Sequence, residues 1–181
     1  DDLAGAAAEV AAGFGAEIET VEEDGAIAQG YPCLHAVGSA SEHQPRVIEL
    51  SWGEPAQPHV VLVGKGVCFD SGGLNLKPGN GMRQMKKDMG GAAIALGLGR
   101  LIMDLGLPLR LTVLLGAVEN AVGSRSFRPG DVLTARNGET VEVDNTDAEG
   151  RLLLADLLVR AGEIHPDLVI DFATLTGAAR V

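Results

Sequence analysis

The stretch that decides the fold is VVLVGKGVCFDSGGLNLKP, residues 60–78. It begins with four aliphatic residues, a pattern typical of a buried strand, and then becomes rich in glycine. The glycine-rich part carries Lys65, Asp70 and Lys77. Open α/β sheets bind ligands just beyond the carboxyl ends of their strands, so these charges favour a ligand site. Taken alone, the stretch also fits a tight turn with solvated charges.

The composition favours a single α/β domain. Of the 181 residues, 46% are hydrophobic but only 3% are aromatic, so the core must consist of valine, leucine, isoleucine and alanine. That mixture suits parallel strands covered by helices. We therefore expect an α/β fold with a largely parallel sheet flanked by helices. Residues 1–45 are predicted to form a peripheral helix and strand segment, and residues 46–181 the sheet core.

Local periodicity predicts the individual elements of this fold. Strand patterns occupy residues 17–22, 46–52, 60–63, 109–118 and 168–172, and helical patterns occupy residues 1–14, 26–37, 90–105 and 151–164. The turn at residues 53–58 favours a hairpin between the strands on either side of it. Asn137-Gly138 is a second hairpin signal, within a small β excursion at residues 132–143.

The charge and the cysteines exclude several classes of function. A formal net charge of -11 argues against nucleic-acid and anionic-membrane partners, whereas it suits metal ions or a substrate amine. Cys33 and Cys68 lack paired spacing, which argues against a disulfide framework and a thiolate zinc site. Neither a transmembrane run nor a signal peptide is recognisable, so we expect a cytoplasmic protein.

Three glycine-containing loops carry charged side chains that could form one site. In chain order, their charged residues of interest are Lys65, Asp70, Lys77, Asp88, Asp147, Glu149 and Arg151. Loops that follow strands and precede helices gather at one edge of a doubly wound sheet. Four carboxylates converge there only if cations neutralise them, and two divalent metal ions would balance their charge. The alternative is a set of surface salt bridges and helix caps.

Individual positions support metal binding. Asp147 and Glu149 are two residues apart, so in an extended chain both side chains point toward one metal pair. Asp88 immediately precedes a helix, whose dipole favours its charge. Lys65 would ligate only as a neutral amine. Deprotonation at pH 7 costs an ordinary lysine about 4–5 kcal/mol, which ligation of a metal offsets.

Two further cations remain for chemistry. Lys77 and Arg151 would stay charged beside the metal ions, where they can stabilise an oxyanion or hold a small anion. Arg151 also opens a predicted helix, whose free backbone N–H groups attract anions. Cys68 is interpreted as a packed thiol, because no histidine accompanies it as a base.

The motifs VGKGVCFDSGGLNLKP (residues 63–78), MRQMKKDMGGAA (82–93) and NTDAEGRLLLAD (145–156) together closely resemble the leucyl, or cytosol, aminopeptidases. These enzymes are two-metal exopeptidases. The resemblance implies that Asp70 and Glu149 bridge two divalent ions, Mn²⁺ or Zn²⁺, that Asp147 binds one ion, and that Lys65 and Asp88 bind the other.

The same resemblance implies the remaining roles. Lys77 and Arg151 would be the catalytic pair, with the lysine polarising the scissile carbonyl and the arginine holding a bicarbonate that acts as general base. The positions that correspond to substrate contacts in the family are Met85, Asn145, Ala148, Thr174, Leu175 and Gly177. Family members form hexamers, so a homo-oligomer is expected. Cys68 departs from the threonine that many members have.

These implications lead to two functional hypotheses. The first is a dimetal aminopeptidase that removes an N-terminal leucine or another apolar residue from peptides with a free N-terminus, using a metal-bridged water. The second is a non-catalytic assembly or binding scaffold that keeps the fold, and metal content distinguishes the two. The resemblance covers roughly the first part of the family's catalytic domain. We therefore expect the 181-residue segment alone to be poorly active, with an exposed sheet edge and an unclosed pocket.

Overall fold

A computed structural model of the protein describes residues 1–22 and 24–179. Its α-helices are α1 (Asp2–Phe14), α2 (Asp24–Gly30), α3 (Pro32–Gly38), α4 (Gly79–Met82), α5 (Gly90–Asp104) and α6 (Glu149–Glu163). Its strands are β1 (Glu17–Val21), β2 (Arg46–Trp52), β3 (His59–Asp70), β4 (Arg110–Asn120), β5 (Val132–Thr134), β6 (Thr140–Glu142) and β7 (Leu168–Phe172). Short 3₁₀ helices span Met85–Met89, Thr146–Ala148 and Gly177–Ala179.

The main sheet has five strands in the order β1-β2-β4-β3-β7. Strands β4, β3 and β7 are parallel to one another, whereas β1 and β2 are antiparallel to their neighbours. The predicted α/β class is confirmed, and the sheet is mixed because only its second half is parallel. Strands β5 and β6 form a separate antiparallel ribbon, with Gly138 at φ 85° between them.

The predicted hairpin between β2 and β3 is wrong. Strand β2 pairs with β4, and β3 lies on the far side of β4, where it pairs with both β4 and β7. Strand β3 is buried on both faces and along both edges, which a terminal hairpin strand would not be. A short turn between two strand patterns suggests that the strands pair directly. The turn does not show that a later strand, here β4, lies between them in the sheet.

Strand β3 is also longer than predicted, so Lys65 and Asp70 lie within the strand and not in a loop after it. The expectation that the strand ends at Val63 is wrong, since it continues to Asp70 with a register shift between Val67 and Phe69. A Cβ on Gly64 would lie 2.6 Å from Ala92 Cα in α5. The glycine thus allows close packing of a helix on the strand and does not end the strand.

Helices cover both faces of the sheet. Helices α1 and α5 pack with Leu62 of β3 on one face, and α3 and α6 pack with Val61 and Val63 on the other. This alternation is the two-residue period of a strand buried on both sides. Residues 1–45 contribute to both clusters, and their separation as a peripheral segment stays a prediction.

The other predicted helices and strands are present, with shifted ends. The helix predicted for residues 26–37 divides at Tyr31-Pro32 into α2 and α3, as the proline suggests. The loop predicted after Lys77 contains α4 and a 3₁₀ helix. Helix α6 begins at Glu149, two residues earlier than predicted. Among the helices of the described residues, none has the length and hydropathy that a membrane crossing requires.

Candidate metal centre

Three segments bring acidic and basic side chains together at the carboxyl end of β3. Asp70 is the last residue of β3, and Lys65 lies five residues earlier in the same strand. Asp88 lies in the 3₁₀ helix that leads directly into α5. Asp147 lies in the 3₁₀ helix that leads into α6, whose first residue is Glu149. The predicted convergence of the three loops is therefore present in the fold.

Lys65 is at the buried side of this cluster. Its Nζ lies 2.8 Å from Asp88 Oδ2 and 2.8 Å from Glu149 Oε1, and it donates a hydrogen bond to Thr174 O at 3.2 Å. The residue is only 2% exposed. Burial by itself lowers the pKa of the ammonium, but the carboxylates of Glu149 and Asp88 outweigh burial and raise that pKa above its ordinary value. In the absence of a metal ion, Lys65 is thus a paired cation.

Lys77 makes the equivalent contacts on the more accessible side. Its Nζ lies 2.9 Å from Asp70 Oδ2 and 2.5 Å from Asp147 Oδ1. Burial again lowers the pKa of this ammonium, and the adjacent carboxylates of Asp147 and Asp70 more than reverse the effect. Lys77 is therefore a paired cation in the metal-free cluster, and its role in stabilising an oxyanion stays a prediction.

The oxygen atoms of the cluster fit divalent cations. One carboxylate oxygen from each of Asp70, Asp147 and Glu149 lies within 4.8 Å of the others. Burial raises the pKa of Glu149 to about 7, against the opposing attraction of Lys65. The two lysines neutralise only half of the four carboxylates. Asp147 Oδ1, although close to Lys77, accepts no aligned hydrogen bond from the part of the chain that the structure describes. Hard oxygen donors with excess negative charge are the ligands that divalent metal ions prefer.

The reason given for the Asp147 and Glu149 spacing is wrong, although their proximity is right. The chain between them is not extended: it changes from a 3₁₀ helix to α6 at Glu149. The Asn145 side chain accepts a hydrogen bond from the Asp147 N–H at 2.8 Å and so begins the 3₁₀ turn. A tight helical turn, and not the strand period, brings the two carboxylates together.

Arg151 stands apart from the ion-paired cluster. It is the third residue of α6 and is exposed, and it lines a shallow cavity with Asn145 and Ala148. Its side chain forms no hydrogen bond or ion pair with any residue that the structure describes. The guanidinium is therefore available to an anion, at a helix start that also favours negative charge.

Of the other predicted substrate positions, Thr174 and Leu175 lie beside the same centre. Thr174 Oγ1 donates to Asp88 Oδ1 at 2.6 Å, so its hydroxyl orients a carboxylate of the cluster. Leu175 is 45% exposed, and its Cδ1 would lie 3.0 Å from a Cβ on Gly150. Met85 begins the 3₁₀ helix that carries Asp88, and Gly177 begins the last 3₁₀ helix. Their contacts with substrate stay predictions.

The sequence patterns did not identify three polar residues beside this cluster, of which Asn120 bonds directly to Asp70. Asn120, at the end of β4, donates to Asp70 Oδ1, and Thr146 and Asn75 hydrogen-bond to each other through both backbone and side chain. A signal for Asn120 existed, because β4 is parallel to β3 and its carboxyl end meets the same edge of the sheet.

The family model "Cytosol aminopeptidase family, catalytic domain" matches residues 1–181. The chain belongs to the cytosol aminopeptidase family. A curated relative from Aquifex aeolicus (strain VF5), named a probable cytosol aminopeptidase, is 46% identical over 181 residues, which are 99% of this chain and 37% of that protein. The resemblance carried by the three motifs is thereby confirmed.

Solved structures of related proteins have the same fold. The crystal structure of cytosol aminopeptidase from Coxiella burnetii is 55% identical, with a TM-score of 0.95 over 99% of this chain and 39% of that chain. The bottromycin maturation enzyme BotP, solved in complex with Mn, is 45% identical, with a TM-score of 0.90 over 97% of this chain and 39% of that chain. The chain thus spans less than two fifths of the length of these relatives.

Proposed function

We propose that the protein is a dimetal aminopeptidase that hydrolyses the N-terminal residue of peptides, with a preference for leucine or another apolar residue. The observation that carries this proposal is the convergence of Asp70, Asp147 and Glu149 within 4.8 Å beside a buried lysine. Membership of the cytosol aminopeptidase family supports it, as does the Mn complex of the BotP relative.

The residues present are suited to hold two divalent ions, Mn²⁺ or Zn²⁺. In the proposed arrangement Asp70 and Glu149 bridge the ions, Asp147 binds one, and Lys65 and Asp88 bind the other. When bound, such ions lower the pKa of water and polarise a carbonyl group. The ion pairs of Lys65 with Asp88 and Glu149 would have to open as the site is loaded.

The chain's own cations supply the remaining chemistry of the proposal. The Lys77 ammonium, whose pKa is raised, donates to the oxyanion that develops on the scissile carbonyl. The Arg151 guanidinium has no partner among the described residues and would hold a small anion such as bicarbonate, which accepts a proton. Both roles require cations at neutral pH, and both side chains meet that requirement.

Substrate binding follows from the same site. The free N-terminal amine of a peptide would bind one of the metal ions, which explains removal of the first residue only. Leu175 supplies exposed apolar surface beside α6 for an apolar side chain. Family resemblance adds a homo-hexameric assembly and a cytoplasmic location to the proposal. It also adds substrate contacts from Met85, Asn145, Ala148, Thr174 and Gly177.

Hydrolysis of a leucine amide by the complete protein, loaded with Mn²⁺ or Zn²⁺, tests the proposed activity. The variant Glu149→Gln removes a bridging carboxylate and is expected to lower kcat/KM by at least about 100-fold, within the range known for loss of catalytic electrostatics. Glu163→Gln, at the opposite end of α6, is the matched control and should retain activity. The proposal fails if the wild-type protein turns over no faster than Glu149→Gln.

The scaffold hypothesis is not favoured by any described residue. A scaffold does not need four carboxylates and two lysines at one buried centre. Desolvation of these charges costs folding free energy, which bound metal ions would offset. Metal analysis of the purified protein separates the two hypotheses, because a scaffold has no reason to bind two ions per chain.

A further inference from the structure

Asn120 has an unusual position next to the candidate metal centre. It ends β4 directly opposite Asp70 in the parallel pairing of β4 with β3, and it is completely buried. Its Nδ2 donates one hydrogen bond to Asp70 Oδ1 at 2.8 Å and another to Thr146 O at 3.0 Å. One side-chain amide therefore connects the strand that carries Asp70 to the residue that precedes Asp147.

The backbone of Asn120 strengthens the same connection. Its carbonyl accepts hydrogen bonds from the Ser71 N–H at 3.0 Å and from the Ser71 hydroxyl at 2.7 Å. Asp70 Oδ1 also accepts from the Gly72 N–H at 2.9 Å. With Oδ1 bound twice, the other oxygen, Oδ2, is the one that faces Lys77 Nζ at 2.9 Å.

A second set of bonds joins the two loops beside Asn120. The Thr146 N–H donates to Asn75 Oδ1 at 2.8 Å, and the Asn75 N–H donates to Thr146 Oγ1 at 2.8 Å. The Thr146 hydroxyl in turn donates to Gly72 O at 2.7 Å. These bonds hold the loop after Asp70 against the loop that contains Asp147, so the separation of the two carboxylates is fixed by neutral groups.

The surroundings of Asn120 show which part of the amide is used. Its Oδ1 has no hydrogen-bond partner among the described residues, and a Cβ on Gly73 would lie 2.9 Å from that oxygen. The site therefore tolerates an unsatisfied acceptor in order to keep two donors in place. A leucine of similar size has no donor, and an aspartate would place a fifth carboxylate beside Asp70.

We propose that Asn120 is a positioning residue of the metal centre, which holds Asp70 Oδ1 so that Oδ2 is directed into the cluster and which sets the distance from Asp70 to Asp147. The inference rests on the proposed function, in which Asp70 is a metal ligand. Hydrogen bonds to ligating carboxylates fix ligand orientation, and their loss commonly weakens metal binding by about 10- to 100-fold.

Titration of the metal-free complete protein with Mn²⁺ alone tests the inference. Asn120→Leu removes both donors and is expected to weaken Mn²⁺ binding by about 10- to 100-fold. Asn120→Ser retains one hydroxyl donor in a smaller side chain, so it should show a smaller loss and provides the measurement if Asn120→Leu does not fold. The matched control is Thr112→Val, which removes the hydrogen bond to His59 near the start of the same strand.

The control separates positioning from general stability. Thr112→Val should lower the melting temperature and leave Mn²⁺ affinity within about twofold. Thr112 lies opposite Val61 of β3, at the other end of the strand pair from Asp70 and Asn120. Wild-type Mn²⁺ affinity in both Asn120 variants would overturn the inference, and so would an equal loss in Thr112→Val.

A metal-free crystal structure of the Asn120 variant that folds gives a second readout. We expect Asp70 Oδ2 to move out of ion-pair distance of Lys77 Nζ, and an unchanged Asp70 carboxylate would refute the inference. This readout stands even if the wild-type protein binds no Mn²⁺, a result that would instead overturn the proposed function.

Discussion

Lys65 contacts Asp88 and Glu149 inside the fold, with 2% of its surface exposed. Removing one partner of a buried ion pair leaves uncompensated charge and typically lowers the free energy of unfolding by about 3–5 kcal/mol. Lys65→Met keeps the aliphatic length of the side chain but removes its charge. We expect a loss of about this size in the metal-free protein, measured by urea unfolding in the presence of a chelator.

The control for this prediction is a lysine in the neighbouring 3₁₀ helix. Lys86 is exposed, so Lys86→Met should change the free energy of unfolding by less than about 0.5 kcal/mol. If Lys65→Met is as stable as Lys86→Met, the buried carboxylates do not depend on Lys65 for their charge balance.

For single residues, the sequence predicts which charged side chains form the cluster, but it does not predict which neutral side chains hydrogen-bond to them. Asp70, Asp88 and Glu149 were identified because acids in glycine-rich loops after strands are unusual, and the structure brings them together. Asn120 was missed because its role depends on lying opposite Asp70 in the β3–β4 register. Register between strands that are fifty residues apart is a property of the folded sheet and leaves no local pattern.

Helix α5 contains two glycines whose surroundings are opposite. A Cβ on Gly91 would lie 2.1 Å from Phe172 O, at the end of β7, whereas a Cβ on Gly97 would meet nothing within 4 Å. We expect Gly91→Ala to lower the free energy of unfolding by at least about 1–3 kcal/mol, since the helix or the strand end must move. Gly97→Ala should raise it by about 0.5–1 kcal/mol, because alanine loses less backbone entropy in a helix.

Chemical denaturation of the two variants in parallel measures this difference. Equal effects would show that α5 does not pack against the end of β7 as described. Because Thr174 follows that strand end and bonds to Asp88, Gly91→Ala is also expected to disturb the metal centre, whereas Gly97→Ala is not.

For helices and strands, the sequence predicts where most of them lie along the chain, but it does not predict which strands pair in the sheet. Periodicity located the strands at β2, β4 and β7 because each alternates or is uniformly aliphatic. Periodicity predicted too short a β3, because glycines that permit close packing look the same in sequence as glycines that end a strand. It failed on the partner of β2, because adjacency along the chain is a weak guide in a sheet whose strands insert between one another.

Strand β7 is an edge of the main sheet and presents apolar side chains to solvent. Leu168 is 50% exposed, and Val169 and Ile170 are each 37% exposed. Exposed apolar edges promote pairing between chains. We expect the isolated 181-residue segment to self-associate in sedimentation experiments and to turn over substrate more slowly than the complete protein.

A charged edge provides the control for that expectation. Val169→Lys should reduce self-association, because lysine on an edge strand opposes the pairing of strands. A segment that stays monomeric at all concentrations and equals the complete protein in turnover would contradict this prediction.

For the molecule as a whole, the central claim is that one buried cluster binds two divalent ions. The most direct test is an anomalous difference map from crystals of the complete protein soaked in Mn²⁺. We predict two peaks, one among Asp70, Asp147 and Glu149 and the other among Lys65, Asp70, Asp88 and Glu149. A map without a peak at this cluster, in crystals where Mn²⁺ is bound elsewhere, would contradict the claim.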